Sequence, residues 1–359
     1  MARYRVGIVG ATGMVGQRFA SMLASHPWFE ISTLAASSRS AGKTYEEAVK
    51  GRWSMPTSLP DSIKDITVLD ATAEIARIAD SSDFVFSAVD MEKEEIRAFE
   101  EHLAKSECPV VSNNSACRGL PDVPMIIPEV NPEHMDVIPF QRKRLGTSRG
   151  FIAVKSNCSI QSYVPALHPL KDRFGLKSVL VCTYQAISGA GKTFETWPEM
   201  VDNIIPYIGG EEAKSEAEPL IVWGKLLDGK IVSDSSISIT SQCVRVPVMD
   251  GHMTAVFASF ANTPDIAEVM SIWKEYNGLP QELNLPSAPK QFLHYFDEEN
   301  RPQTRLDRNI ENGMAVSLGR LREDSLFDLK FIGLSHNTIR GAAGGAILTA
   351  ELLCAKGYI

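Results

Sequence analysis

The sequence predicts an α/β protein of two domains, the first built on a parallel sheet and the second an α+β domain with a mixed sheet. The chain has 359 residues, and a typical domain has ~100–200, so two domains are expected. Strand and helix patterns alternate over the first third of the chain, which is typical of a parallel sheet with right-handed crossovers. Longer strands with one apolar and one polar face follow later, and these favour a mixed or antiparallel sheet.

The first domain consists of short segments in which apolar runs alternate with amphipathic runs. Apolar runs predict strands, and amphipathic runs predict helices. In chain order we expect a strand over residues 4–9, a helix with Phe19, Met22 and Leu23 on one face, a strand over 31–35, a helix over 72–79, a strand over 84–89, a charged surface helix over 91–105 and a short strand at Val110 and Val111.

The rest of the chain carries five longer strand patterns and a C-terminal helix pattern. That helix begins with small residues, which suit close packing against the first domain. We therefore expect domains over residues 1–157 and 158–335, with 336–359 completing the first domain. The predicted strands cover residues 178–186, 236–248, 252–261, 314–322 and 327–334, the helix covers 337–356, and 203–210 and 277–290 are expected to be loops.

Composition excludes several classes of partner. The chain has 36 Lys and Arg against 44 Asp and Glu, a formal charge of −8, so it has no basic surplus for a nucleic acid. Its six cysteines are dispersed without a Cys-x-x-Cys pair, which argues against a disulfide framework or a metal site. No signal peptide precedes the first strand, and no apolar run reaches the ~20 residues that span a bilayer. We therefore expect a cytoplasmic protein with no membrane association.

A glycine-rich turn, GATGMVG over residues 10–16, links the first strand to the first helix. Glycines in this position allow a pyrophosphate to approach the backbone, and the helix N-terminus supplies N–H donors. This context predicts a Rossmann-type dinucleotide site, with a tight turn without a ligand as the alternative. The residues expected to contact the cofactor are Gly10, Thr12, Gly13, Met14 and Val15.

The end of the second strand favours NADP over NAD. An NAD site carries an Asp or Glu there for the ribose hydroxyl, but this chain has no acid between Glu30 and Glu46. A guanidinium flanked by hydroxyls suits a 2′-phosphate. We expect the pocket to consist of Ser37, Ser38 and Arg39, with a solvated polar loop as the alternative. Ser87, at the end of a later strand, is expected to line the same site.

Cys158 and His252 are the candidate reactive pair. A helix pattern follows Cys158, and a helix N-terminus favours a thiolate. His252 follows a glycine turn, and Arg245 lies on the other side of that turn, so both side chains are expected to face one cavity. Taken singly, an inert buried cysteine and a structural histidine are the alternatives.

Several motifs in order resemble aspartate-β-semialdehyde dehydrogenases of the archaeal and fungal-like branch. The resemblance covers nearly the whole chain. It rests on GATGMVG, LAASSRSAGK, SNNSACRG, SNCSIQ, YQAISGAGK, GGEEAK, RVPVMDGH and HNTIRGAAGG. It implies a glyceraldehyde-3-phosphate dehydrogenase-like fold with a catalytic and dimerisation domain. The implied reaction converts L-aspartyl-4-phosphate and NADPH into L-aspartate-4-semialdehyde, NADP and phosphate, in the synthesis of lysine, methionine, threonine and isoleucine.

The resemblance also implies a role for each site residue. Cys158 matches the nucleophile that forms an acyl thioester, His252 the general acid–base group, and Gln185 a residue that orients the substrate. The implied substrate contacts are Arg245 for the α-carboxylate, Glu211 for the α-ammonium, and Arg118 and Lys214 for the phosphate, while Gly189, Lys192 and Asn337 are expected near the nicotinamide.

Three of these assignments have open alternatives. Glu211 and Lys214 share a helix face, so a solvated ion pair is the alternative, and Glu212 competes with Glu211. For Arg118 the alternative is a surface arginine on a loop. The segment GAGKT lacks the first glycine of a phosphate loop, because position 186 is Ala, and this disfavours a nucleoside triphosphatase.

Other functions and assemblies remain open at the level of the sequence. Malonyl-coenzyme A reductase, on the same scaffold, is the alternative enzyme, and its substrate has no amino group for Glu211. N-acetyl-glutamyl-phosphate reductase is a more distant choice. A third alternative is an NADP-binding regulatory protein without catalytic activity, which would not need both Cys158 and His252. The resemblance implies a homodimer or homotetramer that associates through the sheet of the second domain.

Overall fold

The structure is a computed structural model that describes residues 3–359. Its first sheet has seven strands: β1 (Tyr4–Val9), β2 (Phe29–Ala36), β3 (Leu69–Asp70), β4 (Phe84–Ser87), β5 (Val110–Ser112), β6 (Met125–Ile126) and β7 (Ile152–Lys155). The helices of this half are α1 (Met14–Leu23), α2 (Tyr45–Val49), α3 (Ile75–Ser81), α4 (Lys93–Lys105) and α5 (Ile138–Leu145). All strand pairs are parallel, in the order β3-β2-β1-β4-β5-β7-β6.

The strand order reverses between β1 and β4, and this reversal positions the nucleotide site. Strand β1 pairs with both β2 and β4, so Val6, Ile8 and Val9 are fully buried and read as a continuous apolar run. Ligands of open α/β sheets bind outside the carboxyl ends of the strands at such a reversal. The glycine-rich turn between β1 and α1 lies at that edge.

The second half contains a six-stranded mixed sheet with the order β11-β8-β12-β15-β14-β13. Strand β12 is antiparallel to β8 and to β15, whereas β11 is parallel to β8. The elements are α6 (Val164–Phe174), β8 (Leu176–Gln185), α7 (Glu211–Val222), β9 (Lys225–Leu227), β10 (Lys230–Val232), β11 (Ser238–Arg245), β12 (His252–Phe260), α8 (Ile266–Glu275), α9 (Leu279–Glu282), β13 (Leu293–Phe296), α10 (Thr304–Asp307), β14 (Val316–Glu323), β15 (Leu329–Ser335) and α11 (Gly344–Ala355).

The two faces of this second sheet differ in burial. On one face, Val181 and Val256 are fully buried and share a core cluster with Trp273 of α8. On the other face Leu180 is 36% exposed, and it lies opposite the half-buried Phe257 in the register of β8 and β12. Alternation along each strand therefore produces a second, apolar face that the described part of the chain leaves incompletely buried.

The C-terminal helix differs from the single helix expected over 337–356. The chain first forms a short π-helix, Ile339–Ala343, and α11 begins at Gly344. The Gly341 N–H donates to the His336 carbonyl, five residues back. Helix α11 then packs into the core of the first sheet, where Ala346 and Ile347 join the cluster of Val6 and Ile8.

Two further expectations differ from the structure for local reasons. The helix expected over 72–79 begins only at Ile75, because the Asp70 carboxylate accepts hydrogen bonds from the Thr72 and Ala73 N–H groups and holds a turn there. The loop expected over 277–290 contains the short helix α9. Within residues 3–359, no helix combines the length and the apolarity that a bilayer crossing requires.

Candidate active site

Cys158 lies in the segment that leads from β7, the last strand of the first sheet in chain order, to helix α6. It follows β7 and directly precedes a four-residue 3-10 helix, Ser159–Ser162, and α6 begins only at Val164. The expected helix after Cys158 is therefore broken, and a single short turn provides little dipole. Burial, and after it the Glu211 carboxylate, raises the pKa of the Cys158 thiol, while three cations oppose this effect: Lys155, Arg118 and Arg245.

His252 is the first residue of β12 and is fully buried. Its Nδ1 accepts a hydrogen bond of 3.1 Å from the Ala186 N–H. Burial, and then the charge of Arg245, lowers the pKa of His252 to about 3, so the ring is neutral near pH 7. Because Nδ1 is the acceptor, the ring proton lies on Nε2. That Nε2 has no hydrogen-bond partner within residues 3–359.

Arg245 ends β11 beside Gln185 of β8 and is only 6% exposed. Its Nη1 donates to the Ala186 carbonyl at 2.7 Å. Among residues 3–359 no carboxylate lies within ion-pair distance of this guanidinium. A Cβ built on Gly189 would lie 3.0 Å from Arg245 Nη1 and 3.1 Å from His252 Nε2. The two side chains thus converge beside Gly189, as the glycine turn predicted.

Glu211, at the start of α7, is the carboxylate at the centre of the site. It accepts from Lys214 Nζ at 2.7 Å, from Asn157 Nδ2 at 3.1 and 3.2 Å, and from Gln185 Nε2 at 3.2 Å. Burial alone would raise the pKa of Glu211, but these partners hold it below its usual value. The shared helix face predicted for Glu211 and Lys214 is confirmed by their ion pair.

The adjacent carboxylate, Glu212, faces away from this cluster. It accepts from Gln242 Nε2 at 2.6 Å and from the Cys243 N–H at 3.3 Å, both on β11. Successive residues of a helix point in different directions. Only Glu211 therefore contacts the predicted residues Gln185 and Lys214.

Arg118 is held inside the protein, so the surface-loop alternative is wrong. Its guanidinium donates to the Lys155 carbonyl at 2.9 Å and to the Asn113 carbonyl at 3.2 Å. It also forms an ion pair of 2.9 Å with the buried carboxylate of Glu218. Arg118 has two N–H groups left for a substrate, and its charge is largely neutralised by Glu218.

Asn337 connects the two loops that carry the site. Its Oδ1 accepts from the Gly251 N–H and its Nδ2 donates to Ser188 Oγ, both at 2.8 Å. These contacts hold the turn before His252 against the loop that contains Gly189. Lys192, on the same loop, is exposed.

A cleft of 330 Å³ lies at the carboxyl ends of β1, β2 and β4. Gly10 adopts φ +86°, and a Cβ there would clash with the Ala88 carbonyl oxygen. The residues that line the cleft include Gly10, Thr12, Gly13, Ser37 and Arg39, together with Arg52. Two guanidinium groups and two hydroxyls form a donor set that suits the phosphates of NADP.

Four residues expected at this cleft are not among its lining residues. Ser38 is exposed, Met14 and Val15 lie half-buried at the start of α1, and the buried Ser87 hydroxyl accepts from Asn114 Nδ2 at 3.2 Å. From the loop after β2 the cleft is lined by Ala36, Ser37 and Arg39. Contacts of Met14, Val15 and Ser38 with the cofactor stay predictions, as does the contact of Ser87. Its neighbours Ala88 and Val89 line the cleft instead.

Sequence reasoning missed Arg52, Asn157 and Lys155. Arg52 follows α2, and no sequence signal joins it to the distant Arg39. Asn157 and Lys155 both lie close to Cys158 in the chain. Lys155 ends the apolar run FIAVK, and a charged residue at the end of such a run could have indicated a functional position. A larger cavity of 820 Å³ lies elsewhere, lined among others by His168 and Trp223, and none of the predicted site residues lines it.

Comparisons with known proteins agree with this geometry. Residues 5–138 match the family described as the semialdehyde dehydrogenase NAD-binding domain, and residues 167–340 match the semialdehyde dehydrogenase dimerisation domain. The chain is 46% identical to an aspartate-semialdehyde dehydrogenase of Methanothermobacter thermautotrophicus, over 97% of this chain and 98% of that protein. It is 42% identical to the enzyme of Aspergillus fumigatus over the whole of both chains.

Solved structures give the same result. The crystal structure of aspartate semialdehyde dehydrogenase with NADP from Candida albicans has a TM-score of 0.89 and 41% identity, and it covers 100% of both chains. Aspartate semialdehyde dehydrogenase II from Vibrio cholerae has a TM-score of 0.75 and 26% identity over the same coverage.

Proposed function

The chain belongs to the aspartate-semialdehyde dehydrogenase family, and from that membership we propose that it converts L-aspartyl-4-phosphate and NADPH into L-aspartate-4-semialdehyde, NADP and phosphate. This reaction serves the synthesis of lysine, methionine, threonine and isoleucine. The observation that carries the proposal is Arg245, a buried guanidinium with no carboxylate partner within residues 3–359, which converges with a neutral His252 on one site. A buried cation of this kind is costly unless a ligand supplies the anion.

The first step is the attack of the Cys158 thiolate on the acyl phosphate. A carbon–sulfur bond forms, the bond from carbon to the phosphate oxygen breaks, and phosphate leaves with the electron pair. The product is an acyl thioester, whose carbonyl accepts hydride readily, unlike that of a carboxylate. Lys214 contacts the departing phosphate as a point charge, and Arg118 assists with its remaining N–H groups.

The second step is reduction of the thioester. Bound NADPH supplies the hydride at the carbonyl carbon. His252 Nε2–H donates a hydrogen bond to the oxygen on which negative charge develops. The tetrahedral alkoxide then expels Cys158 as thiolate and releases the aldehyde, so this collapse needs no net proton transfer. His252 therefore acts chiefly as a neutral donor, a narrower role than the acid–base function implied by the resemblance.

The substrate is oriented by groups at its two ends. Arg245 binds the α-carboxylate with two parallel N–H bonds, and Glu211 binds the α-ammonium. Gln185 and Asn157 hold the Glu211 carboxylate in place through their amide groups. An amino group is what distinguishes this substrate from a malonyl thioester, and the family comparisons give no support to the malonyl-coenzyme A reductase alternative.

The cofactor is NADP, held at the glycine-rich turn and in the cleft beside Arg39. Ser37 and Arg39 contact the 2′-phosphate, and Arg52 adds a second positive charge. Gly189 and Asn337 lie on the nicotinamide side, where Asn337 acts by fixing the loop. We assign the cofactor domain to residues 1–157 with 336–359, and the catalytic domain to 158–335.

The assembly is a homodimer or homotetramer formed through the apolar face of the second sheet. Support comes from the match to a dimerisation domain and from the incompletely buried Leu180 and Phe257. Six cysteines without a disulfide between them fit the reducing cytoplasm.

A phosphate-dependent assay tests the reaction. Aspartate semialdehyde and NADP are mixed with the enzyme, and NADPH absorbance is followed with phosphate present and with phosphate omitted. Formation of NADPH only with phosphate supports the proposal. Equal rates without phosphate would contradict the acyl-phosphate chemistry, and a requirement for coenzyme A would indicate a thioester substrate instead.

A further inference from the structure

Lys155 is a buried lysine that the steps above do not use. It ends β7 and is 1% exposed. Its ammonium group makes one hydrogen bond within residues 3–359, a donation of 2.6 Å to the Ser156 carbonyl. An ammonium group has three donor hydrogens, and burial of its charge is costly unless an anion compensates it. A buried lysine with one neutral acceptor is therefore either a neutral amine or an ammonium group that depends on a nearby anion.

The C-terminal segment brings Lys155 next to Cys158. A Cβ built on Gly341 would lie 2.8 Å from Cys158 Cβ, and one built on Gly345 would lie 3.1 Å from Lys155 Cε. Gly341 and Gly345 are four residues apart, across the junction between the π-helix and α11, so one short segment contacts both side chains. Because both positions are glycine, the backbone approaches Cys158 and Lys155 closely.

The other charged groups around these side chains have partners or assigned roles. Arg118 is paired with Glu218, and Arg340 forms two hydrogen bonds of 2.7 and 2.5 Å with the buried Glu129. Lys155 has no carboxylate partner within residues 3–359. The charged groups that act on Cys158 are Lys155, Arg118, Arg245 and Glu211, and the titratable groups around Lys155 are Cys158, Arg118, Glu218, Arg340 and His252.

His252 is poorly suited to remove the thiol proton of Cys158. Its Nδ1 accepts from Ala186, and its Nε2 carries the ring proton, so neither nitrogen has a free lone pair directed at the sulfur. Arg245 is engaged by the substrate carboxylate. Within residues 3–359, both Lys155 and Arg245 lack a carboxylate partner, and of these two cations Lys155 is the one to which the proposed reaction assigns no substrate group.

We propose that Lys155 is a positioning residue whose ammonium group stabilises the thiolate form of Cys158. The inference rests on the proposed role of Cys158 as nucleophile. On ionisation the S–H bond of Cys158 breaks, the electron pair stays on sulfur and the proton leaves to solvent, with no change of oxidation state. Burial lowers the pKa of Lys155 to about 7, and the negative charge of Cys158 opposes this effect.

The test is the pH dependence of Cys158 alkylation in a Lys155→Met variant. Methionine fills a similar volume without charge, and the loss of a buried charge is often tolerated by the fold. Iodoacetamide labelling is measured without substrate, by mass spectrometry of the Cys158 peptide, over a pH range that spans thiol ionisation. We expect the apparent pKa of Cys158 to rise by about one unit and its labelling at pH 7 to slow about tenfold.

Lys105→Met, on the exposed surface of α4, serves as the matched control and should leave the labelling profile unchanged. NADP binding and thermal unfolding report whether each variant is folded. An unchanged profile in folded Lys155→Met protein would overturn the proposal. If that variant does not fold, the proposal is tested by measuring the pKa of Lys155 by NMR titration of its Nζ in the wild-type protein and in the Cys158→Ser variant. The pKa of Lys155 should fall when the thiolate is removed, and an equal value in both proteins overturns the proposal.

These measurements separate the two hypotheses. Labelling needs no turnover, so it tests Lys155 even if the reaction differs from the one proposed. Retention of substantial turnover by Cys158→Ser would instead show that the nucleophile lies elsewhere, whatever the labelling profile of Lys155→Met.

Discussion

The protonation state of His252 is set by one backbone N–H and by burial. The Ala186 donor occupies Nδ1, and the absence of solvent makes the imidazolium costly. Burial lowers the pKa of His252 to about 3, below the ~6.5 of an unfolded chain, so protonation of this ring favours the unfolded state. The stability that depends on neutral His252 is fully present above about pH 6.5 and is lost as the pH falls towards 3.

His252→Ala should reduce kcat by about 100-fold to 1000-fold, the usual cost of losing one oxyanion donor. The Michaelis constants for phosphate and for semialdehyde should change little. His252→Gln keeps an N–H donor, so it should recover part of the lost rate. Steady-state kinetics of both variants would show this order. Equal activity of the Ala and Gln variants would argue that His252 acts by transferring a proton.

Arg39→Glu should shift cofactor preference from NADP towards NAD. The change removes the partner of the 2′-phosphate and adds a repelling charge. A charge-assisted hydrogen bond contributes about 1.5–3 kcal/mol, so the affinity for NADP should fall about tenfold to 100-fold. Binding of both nucleotides is measured by fluorescence titration. An unchanged ratio of the two affinities would assign the 2′-phosphate to Arg52 instead.

Arg245→Lys and Lys214→Ala should damage different kinetic constants. Arg245→Lys should raise the Michaelis constant for aspartate semialdehyde, because lysine cannot reproduce the planar pair of donors. Lys214→Ala should instead raise the constant for phosphate. The two groups are proposed to bind opposite ends of the substrate chain. Kinetics with each substrate varied in turn provide the test, and an effect of both variants on the same constant would make Arg118 the better phosphate contact.

At the scale of elements, the short π-helix Ile339–Ala343 has the closest link to function. It shifts the register of the backbone so that Gly341, with no side chain, lies directly against Cys158. The backbone of Ala342, at φ −144° and ψ −106°, departs from helical values. Irregular turns of this kind inside helices are frequent at functional sites, and here the irregular turn places Gly341 against the proposed nucleophile Cys158.

Gly341→Ala should therefore destabilise the protein and impair catalysis. In an ordinary exposed helix, replacement of Gly by Ala stabilises by about 1 kcal/mol. Here the added Cβ would lie 2.8 Å from Cys158 Cβ, so the sign should reverse. Thermal unfolding and the rate of Cys158 labelling should both change. Gly357→Ala, where no atom lies within 4 Å of the added Cβ, controls for general effects of the substitution, although its φ of +76° introduces backbone strain.

At the scale of the whole molecule, we propose that the second sheet serves both catalysis and assembly. Its ends carry Gln185, Arg245 and His252 on strands β8, β11 and β12, and its apolar outer face is the proposed interface. The three residues therefore belong to strands that also form that face. Assembly and the geometry of the site are therefore expected to depend on each other.

Leu180→Glu should weaken the dimer, because it buries a charge at the centre of the proposed interface. Sedimentation velocity should show an increased monomer fraction, and turnover should fall with dilution. Leu326→Glu, at a side chain that is 87% exposed, is the control. A fully dimeric Leu180→Glu protein would place the interface elsewhere.

The amino-acid sequence was enough to predict the two kinds of sheet and to propose the reactive residues. Alternation of apolar and polar residues is a local property, so β1, β8 and β12 were predicted nearly to their ends. The glycine turn predicted the nucleotide edge, and the motifs around Cys158 and His252 predicted the chemistry. Each of these signals is contained in a few neighbouring residues and needs no knowledge of distant contacts.

The protonation states and the hydrogen-bonding partners of the candidate site residues follow from the tertiary structure. The pairing of Arg118 with Glu218 joins residues 100 positions apart, and the neutral state of His252 depends on a backbone group 66 positions away. The cleft brings Arg52 to Arg39, and the C-terminal glycines cover Lys155 and Cys158. Hydrogen bonds and burial at such separations depend on the folded arrangement of strands, because the free energy of a charge is set by its surroundings in space and not by its neighbours in the chain.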